Sequence, residues 1–155
     1  MMNKFLVKLP KALEHQIEDA DIQKELLSVE EYVQRIDFGE EESIIVVPLR
    51  GSYDDFEKRM NTAIVFVNRL KDTICELYCR ISFSPDLDDV QIASVTVNFD
   101  KNFLGLLGAD EAVLAHFNIP VKGLTEDRIF STRELACSVN DVRITYEEND
   151  YEKRN

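Results

Sequence analysis

The sequence predicts an α+β fold: a mainly antiparallel sheet of five or six strands with one long helix, over about residues 53–78, packed across it. Three observations carry this prediction. The middle of the chain has a helical periodicity, short segments on either side of it have strand patterns, and turn sequences separate those segments. The expected order is strand, helix, strand, long helix, hairpin, short helix, hairpin.

The long helix is predicted from apolar residues that recur at steps of three and four. Ser52 and Asp55, at the start, have the spacing of a capping box. The apolar stripe consists of Phe56, Met60, Ala63, Ile64, Val67, Leu70, Ile74, Leu77 and Tyr78. We expect a buried helix about 37 Å long, from a rise of ~1.5 Å per residue. Polar residues interrupt it too often for a transmembrane span.

The segments before this helix combine a strand, helical pieces and a second strand. Weak alternation predicts a strand over residues 4–9. Helical spacing over 11–27 predicts one helix or two short ones broken near residue 20, and a second helical or irregular piece follows over 29–36. A run of β-branched residues predicts a buried strand over 44–47, ended by Pro48.

The segments after the helix read mostly as hairpins. Alternation predicts one hairpin from residues 79–84 and 90–99 and a second from 134–139 and 142–147, where Asn140 and Asp141 have turn chemistry. Between the hairpins we expect a short helix over residues 110–117 and a loop over 121–131. One domain is expected over residues 1–147, followed by a polar, frayed tail over 148–155.

The charge balance is strongly acidic, with 30 acidic against 18 basic residues and a formal net charge of −12. A negative field repels nucleic acid and anionic membranes and attracts basic proteins, although such a charge also serves solubility alone. We therefore expect a basic protein partner and no direct contact with nucleic acid or membrane. The odd number of cysteines and the lack of an export signal favour the cytoplasm.

Two acidic runs are the candidate partner-binding residues: Glu40, Glu41 and Glu42, and Asp86, Asp88 and Asp89. The second run resembles a cation loop only superficially. Counted from Asp86, Gln91 stands where a calcium loop needs glycine, and Val97 stands where it needs a bidentate glutamate. We expect neither a metal site nor a bound cofactor.

A pocket is the alternative site, predicted between the long helix and the sheet near Gly105, Gly108 and His116. No sequence pattern identifies a catalytic residue. Cys75 and Cys79 lie at the buried end of the predicted long helix and Cys137 lies in a predicted strand, where a thiol acts as a small hydrophobe.

These observations favour a non-catalytic acidic protein-binding module, such as an inhibitor, an immunity or antitoxin-type factor, or a small chaperone. Two alternatives stay open: a small-ligand-binding or enzymatic domain that uses the pocket, and a structural subunit of a phage or secretion assembly. The oligomeric state is left open.

Overall fold

The computed structural model describes residues 5–147, which form two β-sheets that share one core and a helix outside the larger sheet. The strands of this part of the chain are β1 Leu6–Lys8, β2 Ile44–Asp54, β3 Arg59–Asn68, β4 Ile74–Phe83, β5 Gln91–Ile92, β6 Val95–Phe99, β7 Glu111–Lys122, β8 Arg128–Ser131 and β9 Cys137–Tyr146. The helices are a 3₁₀ helix Lys11–Glu18, α1 Ala20–Gln34, α2 Lys101–Leu104 and a second 3₁₀ helix Thr132–Leu135.

The larger sheet, sheet A, has the strand order β1-β7-β3-β2-β8, and β5 pairs with the far end of β7. Sheet B has the order β6-β4-β9. Among the strand pairs of residues 5–147, all are antiparallel except β1 with β7, which is parallel. The fold is therefore mixed α and β with mostly strands, which agrees with the predicted fold class.

The long helix predicted over residues 53–78 is wrong. The segment contains the end of β2, a hairpin loop, β3 and the first half of β4. Ile64 and Phe66 of β3 pack between the sheets, whereas Val65 and Val67 pack against α1, and all four are 0 % exposed. A strand buried on both faces does not alternate, so its apolar residues also fall at helical steps.

The helix that does pack across a sheet face is α1. The side chain of Asp19 caps it by accepting a 2.8 Å hydrogen bond from the Asp21 backbone N–H. Leu26, Val29 and Val33 form its buried stripe, at the helical spacing that the sequence predicts over this region.

Other boundaries also differ. The strand predicted to stop at Pro48 continues to Asp54, with a register shift after Pro48. The short helix predicted over 110–117 is wrong, because β7 occupies it. The second hairpin is also wrong: Asp141, at φ 55°, lies in a register shift within the single strand β9. The predicted tail over 148–155 lies outside the described residues.

The shared core is centred on an aromatic cluster. The Phe66 ring lies edge-on to Phe99 at 5.2 Å between centroids and to Phe117 at 6.2 Å, and Phe99 also contacts Phe103 at 5.1 Å. These rings come from both sheets and from α2, so they tie the layers together.

Within residues 5–147, no helix combines the length and the apolarity that a membrane span requires.

Phe66→Ala should lower the free energy of unfolding by about 3–5 kcal/mol, since it leaves a cavity in a core site with no exposed surface. Urea denaturation measures this loss. Phe56→Ala is the matched control: Phe56 belongs to the predicted buried stripe but is 94 % exposed, so its change should stay within about 0.5 kcal/mol. Equal losses in the two variants would contradict the observed strand arrangement.

Candidate protein-interaction surface

Three loops meet at one end of the molecule: residues 54–58 between β2 and β3, residues 84–90 between β4 and β5, and residues 123–127 between β7 and β8. Direct contacts join the first of these loops to the third loop and to the end of β7. The Asp55 backbone N–H donates to the Asp127 carboxylate at 2.9 Å, and the Val121 N–H donates to the Lys58 carbonyl at 3.1 Å. We call these three loops the acidic end.

The three loops of the acidic end carry eight carboxylates and one lysine, and two exposed cations, Arg59 and Lys122, lie directly beside them. The carboxylates are Asp54, Asp55, Glu57, Asp86, Asp88, Asp89, Glu126 and Asp127, and all except the half-buried Asp55 are exposed. Since Lys58 is bonded to Asp55, it neutralises one of these charges directly. The surface is therefore strongly negative.

The hairpin loop is held in a defined shape by its own side chains. The Asp54 carboxylate accepts hydrogen bonds from the Phe56 and Glu57 N–H groups at 2.9 and 3.4 Å, and its carbonyl accepts one from the Lys58 N–H at 2.8 Å. Lys58 completes the turn at φ 59°. Phe56, at the tip, is consequently presented to solvent with 94 % of its surface exposed.

Asp55 anchors this tip to the body of the molecule. Its carboxylate accepts hydrogen bonds from the Lys58 ammonium at 2.6 Å and from the Tyr53 hydroxyl at 3.2 Å. The Lys58 hydrogen bond is the main reason why the pKa of Asp55 lies below its ordinary value. Asp55 thus keeps its negative charge and its hold on the tip.

The close approach of the two other loops depends on Gly123. A Cβ atom at this position would lie 1.9 Å from the carbonyl oxygen of Asp89, which no side chain tolerates. Gly123 also adopts φ +99°, and Asp89 adopts φ 63°. Glycine therefore permits the loop with Asp86, Asp88 and Asp89 to lie against residues 123–127.

A mainly apolar cleft of about 450 Å³ lies beside residues 86–89. We call it the inter-sheet cleft because its residues come from both sheets and the connection between them. They are Phe83, Pro85, Val90, Gln91, Ile92, Ala93, Pro120 and Lys122. This volume falls within the range of roughly 300–1,000 Å³ that is usual for ligand sites.

The other predicted acidic run lies at the opposite end. Glu40 and Glu42 line a hollow together with Ala109 and Asp110, just before β7 begins, whereas the Asp89 carbonyl lies against Gly123, just after β7 ends. The 12 residues of β7 span about 36 Å at ~3.3 Å per residue. Cations accompany the glutamates: Lys71 lies 3.4 Å from Glu42, and Arg69 binds the Asp110 carboxylate and the Gly39 carbonyl, each at 3.0 Å. The two acidic runs do not form one surface.

The pocket residues are not brought together either. His116 lies on the outer face of β7, where its Nε2 is 2.9 Å from the Glu25 carboxylate of α1. Gly105 lies against Lys11, and the Gly108 N–H donates to the Glu111 side chain at 2.6 Å. Because Glu111 and His116 are five positions apart on one strand, roughly 17 Å separates them.

The thiols are suited to packing more than to nucleophilic attack. Burial raises the pKa of Cys79 to about 11 and also raises those of Cys75 and Cys137. A raised pKa leaves little reactive thiolate at neutral pH. In the described part of the chain, no three His, Cys, Asp or Glu side chains are grouped so as to hold a metal ion.

Comparison of the chain with protein-family models, curated proteins and solved structures finds no match.

The sequence predicts the acidic loop over residues 86–89 but not the other parts of the acidic end. Asp54, Asp55 and Glu57 fall in the first turn of the predicted long helix, and Phe56 falls in its predicted buried stripe. The available signal was a polar, acidic interruption between two apolar, β-branched runs, which is typical of a hairpin loop. Glu126 and Asp127 join them only because β7 and β8 return the chain to this end.

Lys58→Met should raise the pKa of Asp55 toward its ordinary value, since the hydrogen bond that chiefly lowers it is removed. The wild-type carboxylate stays ionised to lower pH than the variant's does. Carboxyl chemical shifts followed by NMR through an acid titration measure both values. Lys71→Met is the control because it removes an exposed ion pair at the opposite end. An unchanged Asp55 titration in Lys58→Met would contradict this geometry.

Proposed function

We propose that this chain is a non-catalytic acidic protein-binding module that occupies a surface of a basic partner protein, as an inhibitor, an immunity or antitoxin-type factor or a small chaperone does. The observation that carries the proposal is the acidic end, where eight carboxylates and one lysine lie on three adjoining loops. Charge of one sign on a compact surface accelerates encounter with a partner of opposite charge.

Phe56 supplies an apolar contact that the charges of the acidic end do not provide. Exposed charges mainly raise the association rate, whereas buried aromatic anchors carry much of the binding free energy. The Asp54 carboxylate accepts a hydrogen bond from the Phe56 N–H, and the Asp55 N–H donates one to Asp127. These bonds order the Phe56 loop before binding, so less conformational entropy is lost on association. The raised thiol pKa values agree with a role that needs no cysteine nucleophile.

The test compares two triple variants with the same change in charge. Asp86→Asn/Asp88→Asn/Asp89→Asn alters the acidic end, and Glu40→Gln/Glu41→Gln/Glu42→Gln alters the opposite end. Tagged wild-type and variant proteins capture partners from native cell lysate at low and high salt. A basic protein should be retained at low salt by the wild type and the glutamate variant and depleted with the aspartate variant.

With the captured protein purified, the aspartate variant should associate about tenfold more slowly at low ionic strength and with a flatter salt dependence. Phe56→Ala should instead raise the dissociation rate. If the two triple variants slow association equally, the effect comes from net charge and not from the position of the acidic end. If neither variant changes binding, the acidic end has no role in the function.

A second candidate function, small-ligand binding, is favoured by a separate cleft of about 450 Å³ between α1 and sheet A. Val29, Leu49 and Ala63 give it apolar surface, and its polar residues include Arg50, Asn61 and the Glu25–His116 pair. Such a mixture of apolar walls and a few polar groups is typical of ligand pockets.

Screening metabolites by thermal shift tests this candidate. A ligand of this cleft should raise the melting temperature of the wild type and raise it less in Arg50→Gln, which removes an exposed cation from the cleft wall. An equal shift in both proteins would place the ligand elsewhere.

A further inference from the structure

We infer that the inter-sheet cleft binds one apolar side chain of a basic segment in the partner protein. The inference rests on the proposed function, because it names what part of the partner the acidic end receives. The cleft opens where β4 leaves sheet B at Phe83 and the chain crosses to sheet A as the two-residue strand β5. The chain then returns to sheet B as β6, so the cleft is walled by both sheets.

The walls of the cleft are defined by the fold. Ile92 of β5 is paired with Val121 of β7, and the Ala93 N–H donates to the Pro120 carbonyl at 3.0 Å. Ile92 is buried, whereas Phe83, Pro85 and Val90 are each half-buried. Apolar surface is therefore partly available to a ligand without any rearrangement of the backbone, which is the usual state of a binding pocket.

The charge around the cleft indicates which residues should flank the apolar side chain in the partner. Pro85 and Val90 both line the cleft, and the residues between them include the exposed carboxylates of Asp86, Asp88 and Asp89. A side chain that enters the cleft therefore brings its neighbours close to three negative charges. Lysine or arginine beside it suits this position best, even though Lys122 of the cleft wall opposes them.

Phe56 of a second copy of this chain is a poorer occupant. The exposed aromatic residue that such a copy offers at its own acidic end is Phe56, whose neighbours are Asp54, Asp55 and Glu57. Docking Phe56 into the inter-sheet cleft of another copy would place these acids against Asp86, Asp88 and Asp89. Like charges in contact disfavour that complex, and the same repulsion applies to an anionic lipid surface.

Defined peptides test the inference on the full chain. Three fluorescent pentapeptides, Lys-Lys-Phe-Lys-Lys, Lys-Lys-Ala-Lys-Lys and Glu-Glu-Phe-Glu-Glu, are titrated by fluorescence anisotropy, and amide NMR shifts locate the site. The basic phenylalanine peptide should bind about tenfold more tightly than the alanine peptide, with shifts at Val90, Ile92 and Ala93. The acidic peptide should not bind.

The variants separate charge from the cleft. Asp86→Asn/Asp88→Asn/Asp89→Asn should weaken binding of both basic peptides and flatten the salt dependence, whereas Glu40→Gln/Glu41→Gln/Glu42→Gln should leave both unchanged. Lys122→Met should tighten binding by about twofold, because it removes the opposing cation. Ala93→Trp, at an exposed position, should fill the cleft and abolish the preference for phenylalanine. If it fails to fold, Val90→Ser removes one apolar wall instead and should reduce that preference.

The two basic peptides could bind with equal affinity and both lose that affinity in the aspartate variant. This result would overturn the inference that the cleft binds an apolar side chain, and the acidic end would be a surface that binds cations only. Absence of binding by either peptide, or shifts centred on another site, would also overturn the inference, while the lysate capture tests the proposed function independently. If the protein forms concentration-dependent dimers and Phe56→Ala abolishes them, the occupant of the cleft is a second copy of the chain. This result would contradict the inference that a basic segment of a partner occupies it.

Discussion

The burial of β3 on both faces is the constraint on which the rest of the structure depends. One face of β3 contributes Ile64 and Phe66 to the core between the sheets, and the other contributes Val65 and Val67 to the contact with α1. A strand of this composition is stable only if both faces are covered, because each exposed apolar side chain would forgo roughly 1.5–3 kcal/mol of burial. Sheet B and α1 are the two covers, and together with sheet A they form three layers.

Asn68, at the end of β3, connects this arrangement to the second sheet. Its buried side-chain amide donates to the carbonyls of Asp72 and Leu107 at 3.1 and 2.9 Å and accepts from the Leu70 N–H at 2.9 Å. A fully buried amide needs such partners. The chain therefore turns at a defined point and enters β4.

At the other end of the sheet, Arg59 pairs with Pro120, and Tyr53 pairs with Arg128. These registers bring the hairpin loop and the β7–β8 loop to one end, where a rigid scaffold presents them.

The extent to which the fold was predictable follows from how each segment is buried. The strand over 79–84 was predicted because its outer face is polar and its inner face apolar, so the alternation is visible in the sequence. β3 and the start of β7 are apolar on both faces, and both were assigned to helices because no alternation marks them. The same error places Phe56 in the predicted core. The acidic loop over 86–89 was recognised, but its neighbours depend on contacts between residues 72 positions apart, such as Asp55 with Asp127, and no local pattern contains that information.

The sequence by itself determined the mixed α and β class, several turns and strands, the helical region that became α1, and the net charge of −12. These properties follow from composition and from interactions between near neighbours. Tertiary structure alone decided that the doubly buried part of β3 is a strand, that the acidic runs lie at opposite ends and that Asp127 lies against the hairpin loop. The physical reason is that a doubly buried segment satisfies the hydrophobic requirement equally well as helix or strand, and only the available partners, with their backbone hydrogen bonds, decide between the two.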